Sequence, residues 1–342
     1  MNTLIGLDIG SNTLKIVELS KAGKTFSLIN HGFSATPPGG MVSENPVEQE
    51  AVAQAIKKLV RDSKVSDNEV KIALPESQVF TFVIETPALS ERELASSIRW
   101  EAEQYIPVPL DEVTLDWKIL FQGSKENEKN QVLLVGAPKR ITLKYQRVLE
   151  LAGLVAVSLE TELIAATRSL SASLPTVANL MVVNMGAGTT DFSIVRQGVL
   201  AFTRSVGTGG MSLTRAVKQD LQLEEGQAEE YKKTYGLDPN QLEGKVYRSL
   251  KPLIDSILSE MKKGIGFFQE KNPNDKLEVI VLSGGSSLLP GIVPYFAETL
   301  GVETQVGNPL SSISNIDKKT TPIGQSEASM YTVAIGLAMR ES

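Results

Sequence analysis

Two stretches of this chain repeat one pattern. Leu7-Asp8-Ile9-Gly10-Ser11-Asn12-Thr13-Leu14-Lys15-Ile16-Val17 runs from apolar residues through one acid and a small-residue turn into a second apolar run. Val183-Asn184-Met185-Gly186-Ala187-Gly188-Thr189-Thr190-Asp191-Phe192-Ser193 does the same, with Asn in place of the acid. Asp8 and Asn184, Gly10 and Gly186, and Thr13 and Thr189 share an offset of 176 residues. Each copy predicts a strand, a tight turn and a second strand. Glycine permits close backbone approach in such a turn. Successive free amides, helped by Ser or Thr hydroxyls, form a concavity that suits phosphate. Two such hairpins half a chain apart predict two related domains facing one ligand.

The rest of the pattern is α/β. Strands are predicted at 4–9 and 14–19, with a third from Lys24. Pro46 starts a helix whose face carries Val52, Ile56, Leu59 and Val60, and a strand at 70–74 follows. Residues 79–158 read as β-α-β-β-α, a small inserted α+β subdomain. Ser90 and Glu93 form a capping box at the start of its first helix. A first core domain is expected from 1–78 and 159–178, with a closing helix at 326–342 packing back on it. A second is expected from 179–325, with a helical subdomain at about 216–275.

Composition excludes several chemistries. No cysteine is present, so thiolate metal sites and cysteine nucleophiles are absent. The one histidine, His31, sits in a loop-like Asn30-His31-Gly32 stretch, and no nucleophile elbow accompanies it. A net charge of −6 argues against nucleic acid as a partner. No apolar run reaches the ~20 residues of a membrane span. The N-terminal residues carry no leader pattern. A cytoplasmic chain is expected. Gly23-Lys24-Thr25 is not a P-loop, because Glu18 stands where the first glycine is needed.

The residues then fall into candidate sites. Gly10, Ser11, Asn12 and Thr13 would cup phosphate. Asp8 would reach Mg²⁺ through water, and Lys15 just past the turn would reach a phosphate. Gly186, Ala187, Gly188 and Thr189 form the second cradle. Ser283-Gly284-Gly285-Ser286 links a strand to a helix and admits a ligand without Cβ clash. Glu229 and Lys232 share a helix face. They bracket a ribose and a base or, by the plainer reading, form a solvated ion pair.

As an ordered set, the two turns and the late Ser-Gly-Gly-Ser turn resemble the actin, Hsp70 and sugar-kinase ATPase fold. There two domains of a duplicated ribonuclease H-like core clamp Mg-ATP. The insertion sits where FtsA and PilM proteins carry an extra subdomain. Four further segments resemble the PilM family of type IV pilus assembly proteins. They are Thr36-Pro37-Pro38-Gly39, Arg99-Trp100-Glu101-Ala102-Glu103-Gln104-Tyr105-Ile106-Pro107, Ala228-Glu229-Glu230-Tyr231-Lys232 and Lys233-Thr234-Tyr235-Gly236.

The resemblance implies ATP and Mg²⁺ as cofactors. Asp8 and Asn184 would hold the metal through water, and Gly209 and Gly210 would approach the sugar. Gly284, Gly285 and Ser286 would back the adenosine. Glu162 would lie near the attacking water. The fold usually places Asp where this chain has Asn184. Asn cannot take a proton from water, so ATPase activity is expected to be weak or absent, with Asp191 partly compensating. The resemblance also implies a role at the pilus inner-membrane platform. The chain would be recruited there by the cytoplasmic N-terminal tail of PilN, held in a groove between the first core and the insert. Trp100, Tyr105 and Ile106 are the candidate lining. Pilus motor ATPases are a further implied partner, and a monomer or weak oligomer is expected. The alternatives are an FtsA-like filament, a type II secretion counterpart and a small-molecule kinase. FtsA ends in a linker and an amphipathic helix, for which Gly336 to Ser342 leaves no room. A kinase needs a base that the sequence does not offer.

Overall fold

The computed structural model describes residues 2–123, 129–315, 323–324 and 327–341. The first sheet is built from β1 (Asn2–Ile9), β2 (Thr13–Ala22), β3 (Thr25–Ala35) and, after helix α1 (Pro46–Asp62), β4 (Glu69–Leu74). A three-stranded unit follows: β5 (Phe80–Thr86), α2 (Glu91–Ala102), β6 (Val113–Phe121) and β7 (Asn130–Pro138). The chain then runs through α3 (Lys139–Ala152), β8 (Val155–Thr161) and α4 (Glu162–Ser173).

The second sheet begins with β9 (Asn179–Met185), β10 (Thr190–Arg196) and β11 (Val199–Val206). Helices α5 (Gly210–Leu221), α6 (Glu225–Tyr235) and α7 (Lys245–Lys271) come next. The chain closes through β12 (Val279–Ser283), α8 (Ile292–Leu300), β13 (Glu303–Val306) and α9 (Thr332–Ala338).

The two large sheets have the same topology. Their strand orders are β3-β2-β1-β4-β8 and β11-β10-β9-β12-β13. In each, the first three strands are antiparallel and the outer two run parallel to the first. The turn repeat is thus the visible part of a duplicated domain. Helices α4 and α9 lie between the sheets, where Ala165, Ala166 and Leu337 share a core with Leu180, Val182 and Val281. A β-carbon on Gly336 would collide with the Ala165 carbonyl, so glycine sets how closely α9 approaches α4.

The local signals hold at several helix starts. Asn45 caps α1 ahead of Pro46, and Ser90 and Glu93 form the capping box of α2. Two expectations need correcting. The inserted unit ends at β7 rather than at 158. β8 pairs with β4 in the first sheet, and Ile141, Tyr145 and Val148 of α3 pack in the core of that sheet with Ile56 and Ile72. His31 is not in a loop. It lies within β3, opposite Val17, with its ring edge-on to Tyr331.

Candidate functional site

Each hairpin turn is closed by the same bond. Gly10 N–H donates to the Thr13 carbonyl at 3.2 Å, and Gly186 N–H donates to the Thr189 carbonyl at 2.9 Å. The turns face one another: a β-carbon on Gly188 would lie 3.6 Å from Ser11 Oγ. The offset of 176 therefore places equivalent atoms on opposite walls of one cleft.

Around the first turn, Asp8 sits across the ladder from Lys15, whose Nζ is 3.3 Å from Asp8 Oδ2. Both side chains are largely buried. Thr36 closes the turn from behind, its N–H on the Asn12 carbonyl at 3.0 Å and its hydroxyl on the Gly10 carbonyl at 2.7 Å.

Around the second turn, the equivalent cross-strand pair is Asn184 and Asp191. Asp191 is fully buried and does not open onto the cleft. Its Oδ1 accepts from Ser205 Oγ at 2.5 Å and its Oδ2 from Thr189 Oγ1 at 2.9 Å. Burial pushes its carboxyl up to about 7, against the pull of those two hydroxyls. The part expected of Asp191 in catalysis therefore falls on a carboxylate engaged at both oxygens in tying down its own turn. Glu162 opens α4. Burial first, and then the nearby charges of Asp8, Asp191 and Glu76, raise its pKa well above the usual carboxylate range.

Three distant segments converge on the second turn. The Gly210 and Met211 amides of α5 donate to the Gly186 and Ala187 carbonyls, each at 2.9 Å. A β-carbon on Gly209 would lie 2.6 Å from the Ala187 carbonyl. One on Gly210 would meet Ser286 Oγ at 2.8 Å and Lys232 Nζ at 3.5 Å. Gly284 has φ +81°, and a β-carbon there would lie 3.0 Å from Asn184 Oδ1. Only glycine adopts that backbone beside such crowding without strain. Gly285 carries the chain on into a short 3-10 turn.

Glu229 and Lys232 do not form a solvated surface pair. Lys232 is buried, and its Nζ donates to Glu229 Oε2 at 2.6 Å, Thr214 Oγ1 at 2.8 Å and the Gly210 carbonyl at 3.1 Å. Burial alone would raise Glu229, but the Lys232 and Thr214 hydrogen bonds outweigh it and hold the carboxyl at about 2. The helix spacing showed the pair; its burial comes from packing of α6 on α5.

A second feature is a cavity of about 1320 Å³ between the first core, the inserted sheet and β11. Leu133 and Val135 of β7, Leu143 of α3 and Leu200 of β11 give it apolar walls. Glu160 and Arg168 lie at its base, joined by a bidentate pair at 2.6 and 2.5 Å, with Arg340 3.2 Å from the same carboxylate. Trp100, Tyr105 and Ile106 do not line it. They lie on and just after α2, which covers the opposite face of the inserted sheet. Trp100 is 68% exposed, Tyr105 leans on Phe82 at 5.6 Å, and Ile106 is buried in the subdomain core. Strand parity separates the faces: Leu134 points to α2, and Leu133 and Val135 point to the cavity.

A family model described as type IV pilus assembly protein PilM matches residues 6–342. The chain belongs to the PilM family. A chain of a solved structure titled "PilM-PilN type IV pilus biogenesis complex" is 30% identical, with 98% of each chain covered and a TM-score of 0.85. Cell division protein FtsA of Streptococcus pneumoniae is 23% identical over 345 residues, 88% of this chain and 74% of FtsA. MreB 5 of Spiroplasma citri, solved bound to AMPPNP, shares the fold at TM-score 0.54 and 14% identity, covering 98% of this chain and 95% of its own. The PilM-family chain thus has the two-domain actin-like ATPase fold with a small inserted α+β subdomain. Among the described residues, no helix is long and apolar enough to cross a membrane, and no cluster of three or more His, Asp or Glu side chains is placed to hold a metal.

Proposed function

We propose that this chain is an ATP-binding adaptor of the type IV pilus inner-membrane assembly platform. It holds the N-terminal cytoplasmic tail of PilN in the cavity between the first core and the inserted sheet, and that tail brings it to the membrane. The observation that carries the nucleotide part is the pair of equivalent turns facing across one cleft. ATP fits the residues present. The Ser11 to Thr13 turn and the Gly186 to Thr189 turn would hold its phosphates. Gly209, Gly210, Glu229, Lys232, Gly284, Gly285 and Ser286, which converge beyond the second turn, would hold the nucleoside. Asp8, with Asn184 opposite, fits a Mg²⁺ held mainly by phosphate and water, as that ion prefers. Mg²⁺ would neutralise phosphate charge. Asn184 orients water without accepting its proton, and Asp191 is occupied, so turnover is slow. Glu162 is the remaining candidate base, although burial and its acidic neighbours favour its protonated form.

The partner reading is supported by the likeness to the PilM–PilN complex and by an apolar cavity open to an extended peptide. It is tested by titrating a labelled PilN N-terminal peptide. Leu143 is 62% exposed and lines the cavity, so Leu143→Glu leaves the fold intact. It should weaken binding by about tenfold or more. Trp100→Ala, on the far face, should leave binding unchanged. The opposite ranking would move the tail to α2 and end this assignment.

A further inference from the structure

The two turns share a constraint whose source differs between them. In both, the carbonyl of the first glycine is tied back from outside the hairpin. The Gly186 carbonyl accepts from Gly210 N–H, the first amide of α5, at 2.9 Å. Among the described residues, no helix amide donates to the equivalent Gly10 carbonyl. It accepts instead from the Thr36 hydroxyl at 2.7 Å. The Thr36 amide also holds the Asn12 carbonyl at 3.0 Å, so one residue grips the turn twice. A planar trans peptide points its C=O and N–H in opposite directions. Fixing the Gly10 carbonyl therefore fixes the direction of the Ser11 amide, as fixing the Gly186 carbonyl fixes that of Ala187.

We propose that Thr36 is a positioning residue for the phosphate-binding turn: its hydroxyl holds the Ser11 amide in the orientation that receives a phosphate oxygen. The claim rests on the nucleotide reading above and goes beyond it, because Thr36 would touch no part of the ligand. Pro37 and Pro38 stiffen the chain directly after Thr36, and Met41 anchors the same loop in the first core. The hydroxyl is thus presented from a fixed support.

The test compares Thr36→Val, which keeps the shape and loses the hydroxyl, with Thr36→Ser, which keeps it. Affinities for Mg-ATP, Mg-ADP and adenosine are measured by calorimetry, with thermal unfolding to confirm the fold. Thr36→Val should lose about fivefold to tenfold in ATP and ADP affinity and nothing for adenosine. Thr36→Ser should match wild type. In the wild-type chain, the Ser11 amide resonance should shift strongly on adding Mg-ADP and remain in place with adenosine, which tests the claim even if Thr36→Val does not fold. Wild type that binds no ATP overturns the nucleotide reading. Wild type that binds ATP while Thr36→Val binds equally well, or a Ser11 amide indifferent to ADP, overturns the role of Thr36 alone. Equal losses for ATP and adenosine would overturn it too, as a general loosening of the cleft.

Discussion

The two hairpins have one backbone and opposite electrostatic designs. At the first, the cross-strand pair is Asp8 and Lys15, a carboxylate and an ammonium at 3.3 Å beside the turn. At the second, the equivalent pair is Asn184 and Asp191, with the acid moved to the other strand and buried under two hydroxyls. The first turn keeps its charge where a cation and a phosphate would meet it. The second uses its carboxyl group to hold Thr189 and Ser205, and so to hold its own shape. Duplication supplied two cradles, and divergence left one suited to ion chemistry and one to rigidity. That asymmetry is what a clamp needs if it is to bind Mg-ATP and turn it over slowly.

The largest effect should come from breaking the buried side. Asp191→Ala leaves the Ser205 and Thr189 hydroxyls without their acceptor and should cost about 3 kcal/mol in urea unfolding. Its pKa gives a sharper form. The folded carboxyl titrates at about 7, above its ordinary range, so the folded chain keeps a proton that the unfolded chain has lost. Stability owed to Asp191 is then full below about pH 4 and declines as pH rises to neutrality. The stability difference between wild type and Asp191→Asn should fall over that window. A difference that rises with pH would mean the carboxylate is stabilised as an anion, and the two turns are alike after all.

Next in size is the open side. Asp8→Ala leaves the largely buried Lys15 without its anion and so costs the free chain some stability, and it should also remove the added stability that Mg-ATP confers, about 2.7 kcal/mol at 100 times Kd. Thermal unfolding with and without Mg-ATP reads both. A shift that persists in Asp8→Ala would take the metal away from the first turn.

How much of this was legible follows from the range of each signal. The turns could be read because a tight hairpin is specified by neighbours in sequence: Gly10, Asn12 and their copies suffice. Sheet membership could not, because β8 joins the first sheet through pairing of Val155–Thr161 with Glu69–Leu74, across the whole insertion. Thr36 was visible as part of a Thr-Pro-Pro-Gly segment, but its two hydrogen bonds to the turn depend on β3 ending beside Asn12. Trp100 lies away from the cavity for a local reason. Leu94, Ile98 and Ala102 repeat every four residues and are the buried face of α2, so Trp100, two residues past Ile98, lies on the other side of the helix. A strict helical count would have put it in solvent, though nothing in the sequence says which face of the inserted sheet α2 covers.

A smaller effect is expected from making the two turns more alike. Asn184→Asp restores an acid opposite Asp191 and beside Ser283, whose Oγ is 3.4 Å from Asn184 Oδ1. ATP hydrolysis, followed as phosphate release, should rise by about tenfold. An unchanged rate would show that the missing carboxylate is not what limits turnover.

The smallest effect tests the cation of the first turn. Lys15 occupies the position that Asp191 occupies in the second, but its partner Asp8 remains within reach of the cleft. Removing its charge with Lys15→Met leaves the largely buried Asp8 without its cation, which costs the fold about 2 kcal/mol, less than in a fully dry pair because Asp8 can reach water in the cleft. The same change also takes one positive charge from the phosphate. ATP affinity should fall by about threefold, while the urea midpoint moves less than in Asp191→Ala. If Lys15→Met unfolded the chain more readily than Asp191→Ala, the first turn would be the rigid one, and the division of labour between the two would run the other way.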